Sequence, residues 1–155
     1  MFFTVFTIYR AIREHLISAN LSADVLSNRK PPRIEVVSEH LPSWQLVAFY
    51  KTCDAFVLST HGEGWGLPTH EAMVLGLPVI TTNWGGSTEF VTEESGLLIN
   101  TTGLVSTGDS GRYNTCVAIL ICQDPWLRGF KWADIDIPHM QSLMRRLYSN
   151  RYIVS

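Results

Sequence analysis

The sequence has no excess of charge of either sign. Twelve lysines and arginines stand against fourteen acids, for a net charge of −2, and no stretch gathers the basic residues into the stripe that would track a nucleic-acid backbone. Nucleic acid is therefore not an expected partner. No apolar run is long enough to cross a bilayer, so no transmembrane segment is expected. Residues 1–15 hold a short apolar run with no basic segment ahead of it and charges soon after, which is not the layout of a secretory leader. The expected location is cytoplasmic. The three cysteines, Cys53, Cys116 and Cys122, are odd in number, lack short paired spacing and sit among apolar residues. They read as buried thiols of a reducing compartment rather than as a disulfide framework. His40, His61, His70 and Cys53 show no zinc-like spacing, so no metal is expected. Neither G-x-G-x-x-G nor G-K-[ST] occurs, which weakens the ordinary dinucleotide and P-loop readings. No internal repeat is visible.

What is present suits one folded domain. The 155 residues are 46% hydrophobic and 17% charged, enough apolar material for a core and too little charge for disorder. A strand is expected over 2–8 and a helix over 9–19, with Ile12, Leu16 and Ala19 on one face. Residues 29–32 are a break, and 34–37 a short strand. Ser43 can cap a helix whose buried face is Leu46, Phe49 or Tyr50, and Cys53, with Asp54 at its end. The run 55–58 is apolar throughout, as in a strand buried on both faces of a parallel sheet. A glycine-rich turn over 61–67 leads into a helix over 69–75, with Pro68 at its first position and Gly76 at its end. Next come a strand at 78–81, a second glycine-rich turn at 83–87, a short helix at 88–92 and a strand at 96–99. Residues 101–115 read as polar and irregular, 116–122 as an unplaced apolar run, and 101–122 together as an atypical, insert-like segment. An amphipathic helix over 137–148 points Ile137, Met140, Leu143, Met144 and Leu147 inward. The alternation predicts an α/β fold, a Rossmann-like open parallel sheet with helices on both faces. Such sheets bind ligands at the carboxyl ends of their strands. Both glycine-rich turns leave such ends, so they belong at one rim.

Residues 59–90 carry the chemistry. Gly62, Gly64 and Gly66 alternate in a turn, permitting positive φ and close approach of a ligand to the backbone. The turn feeds a helix N-terminus, where unpaired N–H groups and the helix dipole favour an anion such as phosphate. Glu63 lies in the turn, and Glu71 lies eight residues on, sharing a face with Val74 and Leu75. Two ribose hydroxyls would satisfy the Glu71 carboxylate, and Glu63, nearer the phosphate, could hold sugar hydroxyls. Taken alone, the pair is weak evidence for this, because Glu71 could simply complement the helix dipole and Glu63 could be a solvated turn residue. Trp65 is open to two readings, as a wall of the sugar pocket or as packing against the sheet. His61 and His70 are placed at the donor cleft or its rim. Gly85, Gly86 and Glu89 make either a tight turn with a dipole carboxylate or a ligand contact. Trp132 reads as packing and Arg145–Arg146 as a solvated face.

The whole pattern, E-G-W-G-L-P-x-x-E-A-M-x-x-G-L-P-V-I-x-T-x-W-x-G, resembles the donor-site signature of retaining glycosyltransferases of the GT-B architecture, family 4 (glycosyl transferase group 1). Glu63 and Glu71 match its Glu–seven residues–Glu motif. Residues 41–60 look like the helix and strand that lead into it, and 129–148 are similar to a family tail of the form K-W-A, acidic residues, then a helix with L-M-R. The resemblance implies a C-terminal donor-binding domain, one half of a GT-B fold. Glu71 would bind the nucleotide ribose. Glu63 would contact and orient the transferred sugar as the catalytic carboxylate. The backbone amides of Gly64, Trp65, Gly66 and Leu67 would face sugar and diphosphate. A UDP- or GDP-sugar is the implied donor, with retention of configuration and no metal. The departing phosphate would accept the acceptor's proton, so no protein nucleophile or general base is named.

The resemblance also implies features that this sequence does not supply. The family's basic phosphate-binding residues stand in an early R-K-G segment, where only Arg10 has a counterpart. Ala11 and Ile12 replace the lysine and glycine, so no second cation is present to steady the leaving diphosphate. The family's acceptor domain has no equivalent over 1–155, which read as a single, incomplete donor domain. The expected function is therefore sugar transfer to an unknown acceptor or, alternatively, nucleotide-sugar binding by a non-catalytic remnant of a truncated enzyme.

Overall fold

The computed structural model describes residues 35, 37, 39–106 and 129–150. The expected strand 2–8, the helix 9–19, Arg10, the break 29–32 and the run 116–122 with Cys116 and Cys122 lie outside them. The chain divides into two units, Met1–Pro42 and Ser43–Ser155. In the first, Glu35 and Val37 are exposed and lie in no strand, unlike the expectation for 34–37. The second holds every described helix and strand.

Helix α1 spans Ser43–Tyr50, strand β1 Phe56–Leu58, helix α2 Leu67–Val74 and strand β2 Val79–Thr82. A 3-10 helix over Gly86–Glu89 leads to strand β3, Leu97–Ile99. Strands β1, β2 and β3 form a parallel sheet in that order, with Phe56 beside Val79 and Ile80 beside Leu97. The expected Rossmann-like α/β arrangement is present.

Strand side chains alternate between the two faces of a sheet, and here each face has its own core. Val79 packs with Tyr50, Ala72 and Val91, and with the partly buried Leu46, Phe56 and Leu98. That face is covered by α1 and α2. Ile80, Leu97 and Ile99 pack on the other face with Leu143 and Leu147. These two leucines come from helix α3, Ile137–Ser149. Each fully buried aliphatic side chain contributes about 1.5–3 kcal/mol, so α3 is held chiefly by two residues four apart on one stripe. Met140 joins them at the margin. Ile137 and Met144, expected inward, are instead 47% and 45% exposed, because the covered stripe is narrower than the apolar one. Asp136 caps the helix, its Oδ1 accepting from the His139 amide at 2.9 Å.

Three further expectations change. Strand β1 is not buried on both faces: Val57 is 37% exposed, and β1 is an edge strand of the sheet among the described residues. Phe49 is also exposed, leaving Tyr50 as the anchor of α1. Residues 101–106, read as irregular, form strand β4, Thr101–Ser106. It pairs antiparallel with β5, Lys131–Ile135, from Thr101 opposite Ile135 to Ser106 opposite Lys131. The remainder of the 101–122 segment, residues 107–122, lies outside the described residues.

Candidate donor site

The two glycine-rich turns meet, as their positions after β1 and β2 require. The Gly86 amide donates to the Glu63 carbonyl at 2.9 Å. A Cβ on Gly86 would strike the Gly64 carbonyl oxygen and come within 2.7 Å of the Trp65 Cα, and one on Gly85 would lie 2.8 Å from the Glu63 oxygen. Glycine is needed in the second turn because backbone lies against backbone. In the first turn only Gly66 takes positive φ, at 86°, and it starts α2 from the left-handed region, where a side chain is strained. Gly62 and Gly64, expected to use the same freedom, do not. A Cβ on either would meet nothing within 4 Å.

The loop is also tied down before Glu63. The Thr82 hydroxyl donates to the Thr60 carbonyl at 2.8 Å, and His61 is bonded to Ala133 of β5 through both backbone and ring. Glu63 is thus carried half-buried on a segment fixed on both sides. Among the described residues, the amides of Gly64, Trp65, Gly66 and Leu67 have no protein acceptor. They precede and open α2, so they present N–H groups where the helix dipole is positive. The carboxylates of Glu63 and Glu71 form no ion pair among the described residues.

Glu71 opens onto a cavity of about 280 Å³ between α1 and α2. Leu46, Val47, Tyr50 and Val74 give it apolar walls, with Ser43, His70 and Glu71 as its charged or polar members. The expected common face of Glu71, Val74 and Leu75 lines this cavity. Burial raises the Tyr50 phenol above its ordinary value of 10.0, with the Glu71 carboxylate and the Cys53 thiol adding in that order.

The Trp65 ring packs against Phe90, just past the 3-10 helix, at 5.5 Å, and stays 49% exposed. The His70 ring lies tilted against the same Phe90 at 5.1 Å. His61, expected at the donor cleft or its rim, is bonded to β5 and lies 5.4 Å from the Trp132 ring. Trp132 packs, as expected, but its partner is the turn carrying Glu63. Glu89 is exposed at the end of the 3-10 helix. Among the described residues, no three His, Cys, Asp or Glu side chains converge as metal ligands.

Residues 34–106 match the family described as Glycosyl transferases group 1. The matched segment contains both turns and both carboxylates, and it runs to the end of β4. The chain is similar to the lipopolysaccharide core biosynthesis mannosyltransferase LpsB of Rhizobium meliloti (strain 1021), 38% identical over 96 residues, 58% of this chain and 26% of that protein. It is also similar to D-inositol 3-phosphate glycosyltransferase of Paenarthrobacter aurescens (strain TC1), 32% identical over 88 residues, 56% of this chain and 19% of the relative. A third relative is the capsular polysaccharide biosynthesis glycosyltransferase CapM of Staphylococcus aureus, 41% identical over 54 residues, 34% of this chain and 14% of the relative. Each of these three relatives is named as a mannosyltransferase or glycosyltransferase. The chain spans 26% or less of the length of these relatives. No helix among the described residues is long and apolar enough to cross a membrane.

Proposed function

We propose that this chain binds a UDP- or GDP-sugar as the donor half of a retaining, metal-independent GT-B glycosyltransferase. One observation carries the reading: the second turn locks the first at Glu63, leaving the amides of Gly64 to Leu67 without acceptors among the described residues at the start of α2. A diphosphate placed there gains preorganised donors that cost no reorganisation as charge develops on the leaving group. Glu71, at the rim of the apolar cavity, takes the ribose hydroxyls, and Glu63 orients the transferred sugar. The departing phosphate takes the acceptor's proton on the same face, so the protein supplies no nucleophile. The acceptor and its domain, and a cytoplasmic setting, belong to the same proposal.

Calorimetric titration of the purified chain with UDP, GDP and their sugar conjugates tests this. Glu71→Ala removes an acceptor for two hydrogen bonds to a charged group, about 1.5 kcal/mol each at the lower end, so the Kd should rise about a hundredfold. A folded chain that binds none of these ligands, or a Glu71→Ala variant that binds as well as the wild type, would overturn it.

A second reading, binding without turnover, is favoured by the absence of Lys and Arg from 59–67 and 83–90 and by Ala11 and Ile12 in the early segment. It predicts nucleotide binding with neither transfer nor slow hydrolysis of any sugar conjugate.

A further inference from the structure

The segment entering the first turn is held from a place far away in sequence. Residues paired across an antiparallel ladder alternate, so every second residue turns its N–H and C=O away from the partner strand. Ala133 of β5 is such a residue, and His61 occupies its outer edge. The Ala133 amide donates to the His61 carbonyl at 2.9 Å, and the His61 ring Nδ1 lies 2.6 Å from the Ala133 carbonyl. A carbonyl only accepts, so Nδ1 carries the proton and donates. Trp132 lies almost parallel to the imidazole, at 28°, and restricts its rotation. Ala133 itself is fully buried.

We propose that His61 is a positioning residue for the donor site: its double link to Ala133 sets the direction in which the chain enters the turn, and so where Glu63 stands. Residues 60–63 are then anchored at three successive points, by Thr82, by Ala133 and by Gly86. The β4–β5 ribbon becomes part of the donor site without touching the ligand. The role rests on the donor-site reading for its purpose, but the geometry of the link does not depend on it.

The test is amide hydrogen exchange on the full chain, with UDP and GDP titrations alongside, for His61→Ala, His61→Asn and Trp132→Phe. The reporter is the Gly86 amide, whose acceptor is the Glu63 carbonyl. Loss of the ring hydrogen bond in His61→Ala should speed its exchange about five- to tenfold, with a parallel loss in nucleotide affinity. The amides of Leu143 and Leu147 in α3 should keep their rates. The Asn side chain can donate from nearly the same place, so His61→Asn should restore both readouts to within about threefold of wild type. Trp132→Phe, which keeps a ring over residue 61, should behave like His61→Asn. An unchanged Gly86 rate in His61→Ala, an Asn variant no better than Ala, or equal acceleration at every amide would overturn the proposal. A wild-type chain that binds no nucleotide would defeat the donor reading instead, while the exchange rates would still decide whether His61 orients the turn.

Discussion

The turns after β1 and β2 share a composition and a rim, but their glycines serve different ends. Gly85 and Gly86 have no room for a side chain because the backbone of 63–65 lies against them. Gly62 and Gly64 have open space where a Cβ would be and no left-handed backbone to require glycine. In the second turn glycine is a condition of folding. In the first it leaves a strip of backbone bare on the outside, and the amides of that strip have no acceptor among the described residues. Two glycine-rich turns side by side therefore need not be two binding loops, since one can be the mould that shapes the other.

This contrast can be broken most directly at Gly86. Gly86→Ala drives a methyl group into backbone that cannot rotate aside, and should cost about 3 kcal/mol or more. Chemical denaturation would measure this, and a loss below about 1 kcal/mol would mean that the turns are not interlocked as described. Gly64→Ala is the sharper counterpart. The methyl meets no protein atom, so stability should stay within about 0.5 kcal/mol of wild type or rise slightly. The same methyl stands between a ligand and the bare amides, and should weaken UDP or GDP binding about tenfold, or about 1.4 kcal/mol. Stability lost without any change in affinity would show that the first turn, like the second, is glycine-rich for internal reasons.

The smallest effect lies on the cavity side of α2. The Tyr50 phenol is raised in the folded chain, so the unfolded chain ionises first as pH climbs. The stability linked to Tyr50 is fully present below the ordinary value of 10.0 and is lost as pH rises through the folded value. Denaturation series from neutral to strongly alkaline pH should therefore fall more steeply for wild type than for Tyr50→Phe. Identical slopes would mean that neither burial nor Glu71 acts on this phenol.

The central fold was legible in the sequence because its signals are local. The apolar runs of β1 to β3, Pro68 at the start of α2, Gly76 past its end and the spacing of Leu143 and Leu147 each lie within a few residues of the element they announce. The ribbon was hidden for the opposite reason. β4 is TTGLVS, polar and interrupted by glycine, and it becomes a strand only by pairing with residues 131–135. Nothing near it in sequence announces that partner. Glu63, Glu71 and the amides between them could be named from a motif. The role of His61 could not, because the atoms that give it one belong to Ala133 and Trp132. The short helix expected at 88–92 appears instead as a 3-10 turn over Gly86–Glu89, drawn back by the hydrogen bond that the second turn makes to the first.

The cover that α3 provides for the sheet also has a consequence in time. Ile80, Leu97 and Ile99 present an apolar face as soon as the three parallel strands exist, but Leu143 and Leu147, which close it, are made some fifty residues after Ile99. At ribosomal speeds of about 5–20 residues per second, that face waits roughly 2–10 s for its lid. During this interval the nascent protein is a half-covered sheet, and a chain stopped before α3 would expose the surface on which aggregation begins.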